Sequence, residues 1–167
     1  MFSILILLFT ITLIPMLIFA PWVPTRHSDI ERISRLAELK DNDVVYDLGS
    51  WDWKVLFWLA RNSDCKFIWI ESYVFLYLFS IIKKYFQYKE KNIDFRLGNI
   101  FSADLSDATV IYVFGFSGKM GRLLKKLQKE CKKWTRIISY SFEIEWLKII
   151  KKDKPTEKEL TIHVYEI

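Results

Sequence analysis

The stretch from Val44 to Arg61 most constrains the fold, because it places a short buried strand directly before a helix. The strand is predicted over Val44–Leu48, an apolar run that follows a polar turn. The helix is predicted over Lys54–Arg61. The turn between them has the pattern Asp47-x-Gly49-x-Trp51-x-Trp53. Because ligands of open α/β sheets bind where a strand passes into its helix, this stretch predicts an α/β fold with a binding site at the turn.

This turn resembles the first motif of the class I methyltransferases that use S-adenosylmethionine (SAM), Asp/Glu-x-Gly-x-Gly-x-Gly. Other segments extend the resemblance, among them Val-Pro-Thr at 23–25, Gly-Asn-Ile-Phe at 98–101 and Phe-Gly at 114–115. Together they are similar to the small membrane-anchored protein-lysine methyltransferases, over about residues 21–167. The resemblance implies a Rossmann-like sheet of seven strands that is mostly parallel and ends in an antiparallel hairpin. It also implies SAM as the cofactor and a protein lysine as the methyl acceptor, with a small-molecule or nucleic-acid acceptor as the alternative.

The residues that the resemblance assigns to SAM binding lie in three segments. They are Asp47, Gly49, Ser50, Trp51, Asp52, Trp53, Glu71, Asn99, Ile100 and Phe101. Glu71 ends the second predicted strand, where a carboxylate can accept hydrogen bonds from ribose hydroxyls; the alternative is an exposed charge at a strand end. Asn99 stands where the family has an acidic residue at the adenine amino group, and an amide oxygen is still an acceptor. Asp47 is expected to organise the loop.

Tryptophan at two glycine positions of the motif is expected to obstruct this site. Indoles at 51 and 53 would fill the cofactor space, and a left-handed conformation strains any residue with a Cβ. The chain has five glycines and seven tryptophans, and Trp69, Trp134 and Trp146 also stand where the family pattern or a turn favours glycine. We hypothesise that the natural gene reads UGA as glycine. The alternatives are tryptophans of ordinary structural use and a decayed enzyme that acts as a membrane-tethered binding or scaffold module.

The segment from Phe2 to Ala20 has nineteen residues without a charge, which matches the ~20 apolar residues that span a bilayer. It lacks the basic start and the Ala-x-Ala-like site of a cleaved signal peptide. An uncleaved transmembrane anchor is therefore predicted over residues 1–21, with a cleaved signal peptide and a buried core helix as alternatives. Arginines follow the segment and nothing basic precedes it, which predicts a single-pass protein with its catalytic domain in the cytoplasm.

The remaining boundaries follow from local patterns. A linker and a helix are predicted over residues 22–40, with a capping box at Ser28–Glu31, and the methyltransferase-like domain over 41–167. The apolar run at 72–88 is predicted to be a helix whose aromatic side chains pack in the core, with Lys83 and Lys84 on its solvent side. The segments 147–152 and 160–166 are predicted to form the closing hairpin, both as edge strands.

Composition excludes several functions. The net charge of +5 suits a surface near an anionic leaflet, with a solvated surface of Lys side chains as the alternative. No nucleic-acid partner is expected because no stacking motif accompanies the charge. Two cysteines and two histidines without close partners predict no metal site. Methyl transfer by direct displacement depends on positioning and desolvation. No side chain stands out as a general base, so the sequence assigns no catalytic residue.

Overall fold

The computed structural model describes residues 25–49, 53–115 and 117–167, so the anchor predicted over 1–21 lies outside it. The described strands are β1 (Val44–Leu48), β2 (Lys66–Glu71), β3 (Ile93–Leu97), β4 (Val110–Phe114), β5 (Arg136–Tyr140), β6 (Ile149–Asp153) and β7 (Ile162–Glu166). The described helices are α1 (His27–Ala37), α2 (Lys54–Arg61), α3 (Val74–Gln87) and α4 (Met120–Glu130), and a 3-10 turn over Ser117–Lys119 precedes α4.

The seven strands form one sheet in the order β3-β2-β1-β4-β5-β7-β6. Strands β1 to β5 pair in parallel, and β7 pairs antiparallel with both β5 and β6. This confirms the predicted mostly parallel sheet with an antiparallel hairpin at its end. The chain order reverses between β1 and β4, where open α/β sheets bind their ligands. The prediction of two edge strands is wrong for β7, because the hairpin folds back and inserts β7 between β5 and β6.

Helices cover both faces of the sheet. Apolar residues of α1 and α2 share one core cluster with strand residues such as Val45, Phe67 and Val110, and Leu76 of α3 packs against it. Apolar residues of α4 share a second cluster with alternate strand residues such as Tyr46 and Ile111. The layer formed by α1, α2 and α3 therefore lies opposite α4, with the sheet between them.

The predicted capping box at Ser28–Glu31 is wrong. Helix α1 begins at His27, and its N-cap residue Arg26 makes no side-chain capping bond. The Arg26 carbonyl instead accepts hydrogen bonds from the backbone N–H groups of Asp29 and Ile30, both at 3.0 Å. The first turn is thus closed by backbone alone, and the side chain of Asp29 is available for the interior.

The prediction that the aromatic residues of 72–88 pack in the core is also wrong. Ser80 is the one buried residue of α3, and Lys84 donates a hydrogen bond to the Ile93 carbonyl of β3 instead of facing solvent. An apolar stripe on a helix normally faces a core, but the large apolar side chains of α3 are exposed. No helix within the described ranges combines the length and the apolarity needed to cross a membrane.

Candidate active site

The turn after β1 carries the first predicted site residues. Asp47 is buried, and in the sheet it pairs with Trp69 of β2 and Tyr112 of β4. Gly49 is also buried and has φ of 62°, a left-handed conformation that glycine adopts without steric strain. Ser50, Trp51 and Asp52 lie outside the described residues, so their role in binding stays a prediction.

Glu71 lies at the carboxyl end of β2 and is buried. Its Oε1 accepts a hydrogen bond of 2.8 Å from the backbone N–H of Tyr73. Its Oε2 is buried and has no hydrogen-bond partner within the described ranges. Burial raises the pKa of Glu71 to about 7, because removal from water disfavours the charged carboxylate. The alternative of an exposed strand-end charge is therefore wrong.

The loop after β3 lies beside Glu71. The backbone N–H of Gly98 donates to the Glu71 carbonyl at 2.8 Å, which ties the ends of β2 and β3 together. Asn99 is exposed, and its Oδ1 accepts a hydrogen bond of 2.9 Å from the backbone N–H of Phe101. An amide oxygen has two lone pairs, so Asn99 keeps one for a ligand. Ile100 is buried beneath this loop.

Trp53 does not occupy the left-handed conformation that the glycine-rich pattern suggested. It is the N-cap residue of α2 with φ of −53°. Its ring is half-buried, and its centroid lies 5.0 Å from that of Phe79 on α3. The ammonium group of Lys83 lies 5.4 Å from the same indole. The expectation of backbone strain is thus wrong at position 53, and position 51 lies beyond what the structure describes.

Three other tryptophans differ from one another in their surroundings. Trp134 and Trp146 lie in turns with φ of 74° and 68°, and their side chains are 75% and 90% exposed. Trp69 is fully buried in β2 and packs edge-on against Phe95 with 5.5 Å between ring centroids. The buried Nε1 of Trp69 finds no acceptor among the described residues.

A buried polar cluster that the sequence did not indicate holds α1 against the sheet. Asp29 is fully buried and accepts hydrogen bonds of 2.5 Å from the Tyr140 hydroxyl and 2.8 Å from Arg32. The Arg32 Nε donates at 2.6 Å to Asp153 of β6. Burial, together with the bond to Asp29, raises the pKa of Tyr140. The spacing of Asp29 and Arg32 on one helix face was the one signal of this cluster in the sequence.

The chain matches the family described as the ANTKMT methyltransferase domain over residues 47–151, which is more than half of its length. It belongs to this family. A protein-lysine N-methyltransferase of Saccharolobus islandicus (strain REY15A) is 32% identical over 130 residues, which cover 74% of this chain and 78% of that protein.

Solved structures agree with this membership. An RNA methyltransferase from Salinibacter ruber in complex with S-adenosyl-L-homocysteine has a TM-score of 0.77 at 26% identity, and the match covers 87% of this chain and 94% of that chain. A precorrin 8W decarboxylase from Methanobacterium thermoautotrophicum has a TM-score of 0.65 at 17% identity, with coverage of 87% and 92%. The second likeness concerns the fold alone.

The ANTKMT-type domain is therefore a SAM-dependent methyltransferase, as predicted. Two observations fit the cofactor to this chain. The unsatisfied Oε2 of Glu71 is a buried acceptor that needs a hydrogen-bond donor, and the left-handed Gly49 allows the backbone of the first turn to approach a ligand closely. The described parts of the chain hold no group of three or more His, Cys, Asp or Glu side chains suited to a metal ion.

Proposed function

We propose that this methyltransferase transfers the methyl group of SAM to lysine side chains of a protein. The 32% identity to a protein-lysine N-methyltransferase supports the acceptor. The observation that carries the cofactor site is the buried oxygen of Glu71 that has no hydrogen-bond partner in the described part of the chain. When bound, SAM supplies a methyl group on a positively charged sulfur, which a neutral amine can displace directly.

The described residues have distinct roles in this proposal. Glu71 accepts hydrogen bonds from the ribose hydroxyls, and Asn99 accepts one from the adenine amino group. Gly49 admits the cofactor close to the backbone, and Asp47 holds the turn in place. Ile100 and Phe101 form apolar surface beside the cofactor. Ser50 and Asp52, together with positions 51 and 53 in their glycine form, are proposed to contact it as well, although residues 50–52 lie outside the described part of the chain.

The acceptor lysine must be neutral to react, and its ordinary pKa is about 10.4. The aromatic residues at the carboxyl ends of the central strands are suited to lowering the pKa of the acceptor lysine. Half-buried Phe114 ends β4, and its ring centroid lies 4.7 Å from that of Tyr140 on β5. An apolar wall of this kind disfavours an ammonium ion and so lowers the pKa of an amine beside it.

The acceptor is tested by incubating the full chain with isotopically labelled SAM and a mixture of lysine-bearing proteins, RNA and small amines. We expect label on lysine Nζ, located by mass spectrometry, and none on the same proteins after their lysines have been acetylated chemically. Label confined to RNA or to small amines would overturn the lysine assignment while leaving the methyltransferase assignment intact.

We also propose that the natural protein carries glycine at 51, 53, 69, 134 and 146, through UGA codons. The support lies at 134 and 146, where exposed indoles stand in the left-handed region. That region costs a residue with a Cβ about 1–2 kcal/mol. Trp58 differs, because it lies within α2 and packs edge-on against His27 at 4.9 Å.

The codons test this directly. We expect UGA at 134 and 146 and UGG at 58, in a genome whose other UGA codons fall at glycine positions. UGG at both turn positions would refute the proposal and leave the tryptophans as native residues.

We further propose that residues 1–21 anchor the protein in a membrane, with the domain of residues 41–167 on the cytoplasmic side. The uncharged run from Phe2 to Ala20 supports it. We expect the full chain to stay in the membrane fraction after alkaline carbonate washing, and a variant with Leu8→Arg and Ile11→Arg to be released. Release of the unchanged chain would contradict the anchor.

A further inference from the structure

Helix α3 has its apolar side turned away from the protein. Ser80 is its one buried residue, whereas α1, α2 and α4 each bury several apolar side chains. The large apolar side chains of α3 are instead 39–77% exposed: Val74, Phe75, Leu78, Phe79, Ile81, Ile82, Tyr85 and Phe86. We call these eight residues the α3 apolar face. Leu97 of the neighbouring strand β3 is also 49% exposed.

The α3 apolar face is continuous. At ~100° per residue, its members cover a little under half of the helix circumference, and the opposite side carries Leu76, Ser80, Lys83, Lys84 and Gln87. Soluble monomers rarely expose apolar patches of more than a few hundred Å² unless the patch binds a partner or a membrane. A wide apolar stripe on a helix normally faces a core, so this face indicates an apolar environment outside the domain.

The inward side of α3 fixes this orientation. The Lys84 ammonium donates to the Ile93 carbonyl of β3. The Lys83 ammonium lies over the ring of Phe57, 5.1 Å from its centroid, and over that of Trp53. The Ser80 hydroxyl donates to a carbonyl of its own helix at 2.7 Å. Rotation of α3 to bury its apolar side would break the contacts of Lys83 and Lys84 with β3 and α2.

We propose that the α3 apolar face lies in the surface of a lipid bilayer that contains anionic lipids. Helices that bind there have a wide apolar side with aromatic residues and insert it into the boundary between headgroups and acyl chains. The face is rich in aromatic side chains, α3 contains no acidic residue, and the net charge of the chain is +5. Both properties favour an anionic surface.

The position of α3 supports a bilayer as the occupant of this face. This inference rests on the proposed anchor at residues 1–21. The apolar run ends at Ala20, and residues 21–24 can span at most ~14 Å before Thr25. Helix α1 begins two residues later and contacts α2, and α2 meets α3 through Phe57 and Lys83. An anchored chain therefore holds this helical layer within a few residues of the bilayer.

Two other candidates for covering the α3 apolar face explain fewer of the observations. If the segment from Phe2 to Ala20 packed on α3, one side of that segment would be covered. Its opposite side, which is equally apolar, would remain in water. A second copy would cover α3 and leave the apolar run unexplained. A bilayer would remove both the α3 apolar face and the segment from Phe2 to Ala20 from water.

The test uses the full chain with Cys131→Ala, since Cys65 is buried, in vesicles of phosphatidylcholine and phosphatidylglycerol. A fluorophore is attached at Phe86→Cys in one sample and at exposed Lys125→Cys on α4 in the control. We expect lipid-borne nitroxides to quench the label at 86 several-fold more than the label at 125, and aqueous iodide to do the reverse. Equal quenching by iodide at the two positions would overturn the proposal.

Protection at 86 from iodide without quenching by lipid nitroxides would also overturn it, because protein would then cover the face. A second variant places a charge within the α3 apolar face and leaves the core residues unchanged. Ile82→Glu is expected to abolish most lipid quenching at 86 and to leave the melting temperature within a few degrees. Its matched control, Gln128→Glu on exposed α4 surface, should change neither. The carbonate wash reports on the anchor, whereas quenching at 86 relative to 125 reports on α3. Retention after the wash without lipid quenching at 86 would therefore overturn the α3 proposal and leave the anchor standing.

Discussion

At the scale of single residues, Glu71 has properties suited to a ligand contact and not to stability. Its carboxylate is buried, one of its oxygens has no hydrogen-bond partner among the described residues, and its pKa is raised from 4.5 to about 7. A raised acid pKa means that the folded protein binds the proton more tightly than the unfolded chain. The stability from this group is therefore full below pH 4.5 and is lost as pH rises through 7.

This sign gives a first prediction for the protein without SAM. Glu71→Gln removes the ionisable group and keeps an oxygen for the Tyr73 N–H, so at pH 8 it should raise the free energy of unfolding by up to ~3 kcal/mol. The gain should vanish near pH 4.5. Denaturant unfolding across pH measures it, with exposed Glu90→Gln as the control. An equal gain at all pH values, or a loss at pH 8, would refute the account of Glu71.

The turn tryptophans give a second prediction. Trp134→Gly and Trp146→Gly should each stabilise the fold by roughly 0.5–1 kcal/mol, because relief of left-handed strain exceeds the greater freedom of glycine in the unfolded chain. Trp58→Gly in helix α2 should instead cost at least ~1 kcal/mol. Thermal melting of the three variants measures these changes in stability. Destabilisation at both turns would contradict a preference for glycine there.

At the scale of elements, the sequence predicted those boundaries of helices and strands that lie next to polar turns. Strand β1 and helix α2 begin and end at the predicted residues, and β2 ends at Glu71 as predicted, because polar turns such as 40–43 separate these elements from their neighbours. The inward side of α3 was not predictable, since an apolar stripe on a helix normally faces the core, whereas that of α3 faces outward. The edge assignment of β7 failed because strand order depends on tertiary pairing and not on local pattern.

In the site, too, local sequence predicted some residues, whereas others come together only in the folded chain. The spacing of Glu71 from the first turn predicted its buried position at the end of β2. The cluster around Asp29 was not predictable, because its partner Tyr140 lies 111 residues away in the sequence. Only the packed fold brings α1, β5 and β6 together at this point.

The Asp29 cluster gives a third prediction. Tyr140→Phe removes a buried hydrogen bond to a carboxylate, so it should cost ~1.5–3 kcal/mol of unfolding free energy. Tyr85→Phe on the exposed side of α3 removes the same hydroxyl and should change it by less than ~0.5 kcal/mol. Urea titration compares the two. Equal effects would show that the cluster does not hold α1 to the sheet.

At the scale of the whole molecule, the sheet separates two surfaces with different roles. The carboxyl ends of β1, β2 and β3 carry the proposed SAM contacts, and the layer of α1, α2 and α3 carries the surface proposed to meet the bilayer. The first helix joins them, because it follows the proposed anchor and is held to the sheet by Asp29. Methyl transfer by this chain is therefore expected close to a membrane surface.

The central claim is that Glu71 holds SAM in this methyltransferase, and a SAM titration of the full chain in detergent micelles tests it most directly. The titrated protein has glycine at 51, 53, 69, 134 and 146. We predict saturable binding that Glu71→Gln weakens tenfold or more, because an amide cannot offer two acceptor oxygens to the ribose. Exposed Glu90→Gln should leave the affinity unchanged. Saturable binding that Glu71→Gln does not weaken, or no binding at all, would contradict the account.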